Sequence, residues 1–154
     1  IVDMPPGTGD IQLTLSQKVP VSGVVIVTTP QNIATLDARK GLAMFRKVSI
    51  PVLGVVENMS THICSSCGHA EAIFGSGGAD KMVEDFEIPL LGQFPLVSSI
   101  RKQTDSGTPT VLADPDSAAA KAYRDAALQI AVAQASQRSD YSSKFGKIVV
   151  EGNI

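Results

Sequence analysis

GVVIVT at residues 23–28 and VLGVV at residues 52–56 decide the fold. Both are continuous apolar runs rich in β-branched residues, as expected for parallel strands buried on both faces. Thr29-Pro30 breaks the first run. Residues 33–47 then carry Ala38, Leu42 and Phe45 at i, i+4 and i+7, which predicts a helix with one apolar face. Upstream, residues 1–3 read as the end of a further buried strand, residues 4–10 as a Pro/Gly-rich loop and residues 11–18 as a short helix. Downstream, residues 79–86 read as a helix, residues 89–92 as a strand leading into Phe94-Pro95, and residues 98–105 as a helix. A last helix begins with Asp114 as cap and Pro115 at its first position. Its apolar stripe is Ala119, Tyr123, Ala126, Ala127 and Ile130. From Ser136 the chain turns polar and Ser-rich, which predicts a tail with little fixed structure, and Ile148-Val149-Val150 has no evident partner. Strands alternating with helices give an α/β fold, a mostly parallel sheet flanked by helices.

The bulk numbers exclude several classes. The 154 residues are 44% hydrophobic and 18% charged, and a net charge of −2 gives no long-range attraction to nucleic acid or an anionic membrane. No apolar run approaches the roughly 18–20 residues that cross a bilayer, and no signal peptide is visible. Two cysteines separated by two residues do not make a secreted disulfide framework; the spacing reads as metal or redox chemistry in a reducing, cytoplasmic compartment. The chain opens on Ile1-Val2-Asp3 without Met, at the last turn of what reads as a central strand. The expectation is therefore the C-terminal part of a larger domain over residues 1–135, with a cysteine loop at 59–78, and a polar tail at 136–154.

In parallel sheets ligands gather at the carboxyl ends of the strands. The unusual residues fall there, at 3–10, 58–68 and 93–96. An acid closing a buried strand, as Asp3 does, is the arrangement that holds Mg²⁺ in P-loop nucleotidases. Glycine just downstream lets the backbone approach a terminal phosphate. Alternatively the stretch is a Gly/Pro turn beside a solvated Asp3. Cys64-Ser65-Ser66-Cys67-Gly68 has the spacing of a metal knuckle, yet it supplies two ligands where a cluster or structural zinc takes four. A second copy of the chain could bring the other pair to a shared 4Fe–4S cluster. His62 and His69 could complete a zinc site within one chain, though four ligands in eight residues would be cramped. A dithiol redox centre normally opens a helix, which Ser65-Ser66 and Gly68 do not favour. Spacing leaves cluster and zinc both open.

The string Asp3-Met4-Pro5-Pro6-Gly7-Thr8-Gly9-Asp10 resembles the switch II segment of the Mrp/ApbC family, relatives of the MinD and nitrogenase-iron-protein ATPases. Glu57-Asn58-Met59-Ser60, Cys64-x-x-Cys67-Gly68-His69 and Ile73-Phe74-Gly75-Ser76-Gly77-Gly78 look like the cluster-carrying segment of those iron–sulfur carriers. Leu90-Leu91-Gly92-Gln93-Phe94-Pro95-Leu96 and Ile100-Arg101 continue in the same order, so the similarity runs from Ile1 to about Ala133. The resemblance implies that Asp3 is the Mg²⁺-associated acid and Gly7 the switch glycine whose N–H senses the γ-phosphate of ATP. Asn58 would read the adenine edge, which suits an amide that both donates and accepts, and Pro95 would wall the base. Cys64 and Cys67 would bind a 4Fe–4S cluster shared across a homodimer. The implied activity is slow ATP hydrolysis coupled to passing clusters to apo-proteins, with no nucleic-acid or membrane partner.

Alternatives stand beside these roles. Asn58 is also suited to capping a strand end, residues 75–78 to being slack backbone, and Arg101 and Lys102 to a solvated helix face. The family's phosphate-binding loop would lie before Ile1, and no GKS or GKT occurs in the chain. These 154 residues by themselves are thus expected to bind ATP weakly and not to hydrolyse it. Other classes of function would be a MinD/ParA-like regulatory ATPase whose cysteine pair holds structural zinc, or a non-enzymatic scaffold descended from the ATPase.

Overall fold

The computed structural model describes residues 1–5 and 9–137. Its main sheet has three parallel strands in the order β1 (Val24–Thr28), β2 (Val52–Glu57), β5 (Leu90–Gln93). The central strand carries the apolar run VLGVV, is paired on both edges, and has all its residues after Val52 buried, as expected of a parallel strand whose faces are covered by helices. Helix α2 (Asn32–Lys47) links β1 to β2, and α3 (Gly78–Phe86) precedes β5. Ile26, Leu42, Val55, Ala79, Met82 and Ile88 form one buried cluster where these two helices meet the sheet, with Ala38 and Phe45 packed against it. The i, i+4, i+7 face read from the sequence is therefore the face buried. An Arg39–Asp85 ion pair at 2.6 Å, and both Arg39 and Arg46 stacked on the Phe86 ring, tie α2 to α3 at the surface.

Helix α4 (Ser98–Asp105), the short α5 (Thr110–Ala113) and α6 (Ala118–Ala135) follow β5, and α6 packs on β5 and β2. Phe94 and Tyr123 meet there with ring centroids 4.2 Å apart. A two-stranded antiparallel hairpin, β3 (His62–Ile63) with β4 (Ala70–Glu71), stands apart from the main sheet. Helix α1 (Asp10–Lys18) completes the list of elements among the described residues.

Two glycines are fixed by close approach. A Cβ on Gly54 would lie 2.5 Å from the Pro89 carbonyl oxygen and 2.6 Å from Leu91 Cγ, where β2 and β5 draw together. A Cβ on Gly78 would lie 2.5 Å from the Pro30 carbonyl oxygen, so the start of α3 can seat against the end of β1 only through glycine. Gly77, at φ +74, turns the chain into that helix. Residues 75–78 thus end in a packed joint rather than in slack backbone.

The structure departs from the sequence reading at identifiable points. Residues 1–3 are not hydrogen-bonded into the sheet, and Ile1 and Val2 are exposed. An apolar run supplies the face of a strand but not the partner that makes it one, and β1 pairs only with β2 among the described residues. The cap of the last helix is Ser117, not Asp114. Its Oγ accepts the Ala120 N–H at 3.2 Å while donating to the Asp114 carbonyl at 2.7 Å, so Asp114 and Pro115 belong to the preceding turn. Ala120 is buried and Ala127 exposed, which rotates the apolar stripe accordingly. Strand and helix ends otherwise move by about one residue. Of the predicted tail, residues 138–154 lie outside the described residues.

Candidate functional site

Thr28, Glu57 and Gln93 end the three parallel strands side by side, in register. Beyond them the chain does not splay. Asn58 N–H donates to the Thr28 carbonyl at 2.7 Å and Phe94 N–H to the Glu57 carbonyl at 2.8 Å. Ser60 gives both its N–H (3.0 Å) and its hydroxyl (3.1 Å) to the Phe94 carbonyl. Leu96 N–H donates to the Thr61 carbonyl at 2.8 Å, and Ile63 N–H to that of Leu96 at 3.3 Å. His62 Nδ1 lies 3.2 Å from the same Leu96 oxygen. The segment after β2 is therefore zipped to the segment after β5, and Asn58 and Pro95 sit on these two joined segments.

Asn58 is half-buried, and its Oδ1 accepts the Met59 N–H at 3.0 Å, which holds the amide in one orientation. Met59 itself has φ +56, a conformation costly for an unbranched bulky residue and one that clusters at functional sites. The Asn58 oxygen thus serves the turn that follows the strand, as the capping alternative expects.

The same segment leads into the cysteines. Hairpin β3–β4 pairs His62 with Glu71 and Ile63 with Ala70. Between its strands Cys64 N–H donates to the His69 carbonyl at 2.9 Å, and Gly68 N–H to the Cys64 carbonyl at 2.9 Å. Gly68 takes φ +72, which closes the turn. Both thiols are free, Cys64 half-buried and Cys67 exposed. The backbone N–H of Ser66, then that of Cys67, stabilises the Cys64 thiolate and holds its pKa below the ordinary thiol value, with the Cys67 thiol adding to the effect against some desolvation. Thiolate is the form in which cysteine acts as a nucleophile or a metal ligand.

That acidity gives a direct test. In a metal-free Cys67→Ser protein, the alkylation rate of Cys64 should rise with pH through a midpoint below that of the same thiol after unfolding in urea. A lowered folded-state value means thiolate appears at lower pH in the folded chain. Coincident folded and unfolded profiles would show that the backbone amides do not act on the sulfur.

His62 and His69 flank the pair, but no group of three or more His, Cys, Asp or Glu side chains placed to hold a metal occurs among the described residues. Arg101 and Lys102 are exposed on α4, Arg101 paired with Asp105 at 2.6 Å, as expected of a solvated helix face. Asp3 is exposed, in an N-terminal segment that no strand pairing includes, and Gly7 lies outside the described residues. One site residue escaped the sequence reading. Glu57 is only 2% exposed and receives the Ala79 N–H at 2.9 Å and Gln93 Nε2 at 3.1 Å. The signal was present, since Glu57 closes a buried apolar strand just as Asp3 was taken to do.

A model of the NUBPL iron-transfer P-loop NTPases, in the ParA group, matches residues 1–131. The chain belongs to this Mrp/NUBPL family. The iron–sulfur cluster carrier protein of Pseudomonas fragi is 62% identical over 128 residues, covering 83% of this chain and 45% of that protein. The Escherichia coli K12 iron–sulfur cluster carrier protein is 60% identical over 131 residues, 85% of this chain and 36% of its own. The iron–sulfur cluster transfer protein NUBPL of Mus musculus is 52% identical over 130 residues, 84% of this chain and 41% of its own. The chain spans less than half the length of each of these relatives. Among solved structures, a nucleotide-binding protein of Archaeoglobus fulgidus in complex with ADP superposes with a TM-score of 0.59 at 36% identity, over 68% of this chain and 43% of that one. The Pyrococcus furiosus cell division ATPase MinD gives 0.57 at 27% identity, over 72% and 43%. The Mrp/ApbC resemblance and the MinD-like α/β fold read from the sequence are thus borne out. No helix among the described residues is long and apolar enough to cross a membrane.

Proposed function

We propose that this Mrp/NUBPL chain is part of an ATP-dependent carrier that receives 4Fe–4S clusters and passes them to apo-proteins. The single observation that carries this reading is the preformed knuckle of Cys64 and Cys67, hydrogen-bonded through residues 60–63 to the segment that bears Pro95. The named relatives that carry or transfer iron–sulfur clusters support it.

In this reading the cluster is cargo. Each chain offers two thiolates and a homodimer supplies the four that a 4Fe–4S unit takes. Asn58 reads the adenine edge and Pro95 walls the base, on segments hydrogen-bonded to each other and to the cysteine hairpin. Asp3 is the acid associated with Mg²⁺, and Gly7 offers its N–H to the terminal phosphate of ATP; the motif resemblance alone supports these two roles. A reducing, cytoplasmic setting keeps both thiols available. The likeness to MinD favours a second reading, a nucleotide-controlled regulatory switch whose cysteines hold structural zinc.

Metal and acid-labile sulfide analysis of the protein as the cell makes it, after anaerobic reconstitution, separates the two. The carrier reading expects iron and sulfide at one 4Fe–4S unit per two chains. One zinc per chain without a visible chromophore would sink it in favour of the switch.

A further inference from the structure

Glu57 is buried, carries a carboxylate, and plays no part in the chemistry described above. Burying such a group is costly unless its oxygens are occupied. Here each oxygen has a partner, and the partners come from different places. Oε2 accepts the backbone N–H of Ala79 in the first turn of α3, 22 positions along the chain, where the helix dipole also favours negative charge. Oε1 accepts from the Gln93 side chain at the end of β5, 36 positions along. The residue after Glu57 is Asn58, and the residues between 58 and 78 are those that carry the cysteine hairpin. The carboxylate therefore joins the two ends of the cysteine excursion to each other and to the neighbouring strand. Beside it, Gly78 is wedged on the Pro30 carbonyl, so the far end of the excursion has little room to slide.

We infer that Glu57 is a positioning residue, a latch at the neck of the cysteine loop that makes the Asn58–Pro95 face and the Cys64–Cys67 knuckle move as one body. Nucleotide bound at that face then stiffens the knuckle through the latch. This second half rests on the nucleotide role proposed above; the latch itself rests on geometry alone.

Amide hydrogen exchange of the metal-free protein as the cell makes it, followed peptide by peptide, tests both halves. Glu57→Ala is expected to speed exchange across residues 58–79 by about tenfold or more, while peptides containing Ile26 and Val55 keep their wild-type rates. Glu57→Gln is expected to restore protection, because its amide oxygen still accepts from Ala79 and its NH₂ can donate to a turned Gln93 amide. In the wild type, saturating Mg-ATP slows exchange over residues 60–69. In Glu57→Ala that slowing is lost even at ATP concentrations raised until binding is complete. Should Glu57→Ala fail to fold, Gln93→Ala removes one partner only and is read in the same way, with a smaller but still local rise. Wild-type rates over 58–79 in the variant, a rise spread evenly over the sheet, no ATP effect on residues 60–69 in the wild type, or an ATP effect that survives in Glu57→Ala would each overturn the inference. A protein that proves to hold zinc would remove the carrier reading and leave these exchange results standing, so the two failures are distinguishable.

Discussion

Cys64→Ser should leave the reconstituted protein without iron or acid-labile sulfide. In the proposed carrier each chain would bring two thiolates to one knuckle, and a pair of chains the four that a 4Fe–4S cluster takes. Removing Cys64 leaves two for the pair, below the requirement of any cluster or closed tetrahedral site. Loss of an outer-sphere partner alone commonly weakens metal binding by about 10–100-fold, so loss of a ligand should exceed that. Serine keeps the size of the side chain, and the hairpin hydrogen bonds at Cys64 are made by its backbone N–H and carbonyl, so the knuckle should persist without its charge. Ser65→Ala serves as the control, since Ser65 is exposed and is not among the groups that act on the Cys64 sulfur, whereas Ser66 reaches it with both its backbone N–H and its hydroxyl. A Cys64→Ser protein that keeps wild-type iron and sulfide, or a Ser65→Ala protein that loses them, would remove the knuckle from the metal site.

Leu42→Ala is expected to cost about 2–5 kcal/mol of folding stability. Leu42 is fully buried on α2 in the cluster with Ile26, Val55 and Met82, so the truncated side chain leaves a cavity that close-packed neighbours fill only in part. A domain of this size is stable by only about 5–15 kcal/mol, so the change takes a large share of the whole. Leu36, on the same helix and 54% exposed, gives the comparison: Leu36→Ala should cost well under about 1 kcal/mol. Urea unfolding of the two variants beside the wild type measures the difference. Equal costs would mean that the cluster under the sheet is not the core of the fold.

What the sequence disclosed follows from the kind of signal each element carries. Strand β1 carries the same kind of apolar run as β2, but Val27 is 61% exposed and its burial is not two-sided. Strand β2 was legible because a strand buried on both faces must be apolar throughout, and α2 because Ala38, Leu42 and Phe45 repeat with the helix period. The hairpin β3–β4 was not, since two residues per strand are too few to show any period; its order comes from hydrogen bonds to residues 94–96, far off in sequence. The cap of α6 was misplaced because Asp114, Pro115 and Ser117 all suit a helix start, and only the Ser117–Ala120 bond decides among them. At the candidate site the spacing of Cys64 and Cys67 marked the knuckle, while a role for Asn58 came only from the family resemblance. Glu57 showed the same strand-closing position as Asp3, but its burial and its partners Ala79 and Gln93, 22 and 36 positions away, were not legible, because a buried acid is recognised by what surrounds it.

The excursion from Glu57 to Ala79 leaves and re-enters the fold at one place. An insertion whose ends coincide is modular. It can be lengthened, shortened or replaced without changing how β2 is registered on β5, and each doubling of its length adds only about 0.6 kcal/mol of closure entropy. A nucleotide-binding sheet of this kind could therefore exchange the chemistry it displays by rewriting some twenty residues while its strands stay as they are.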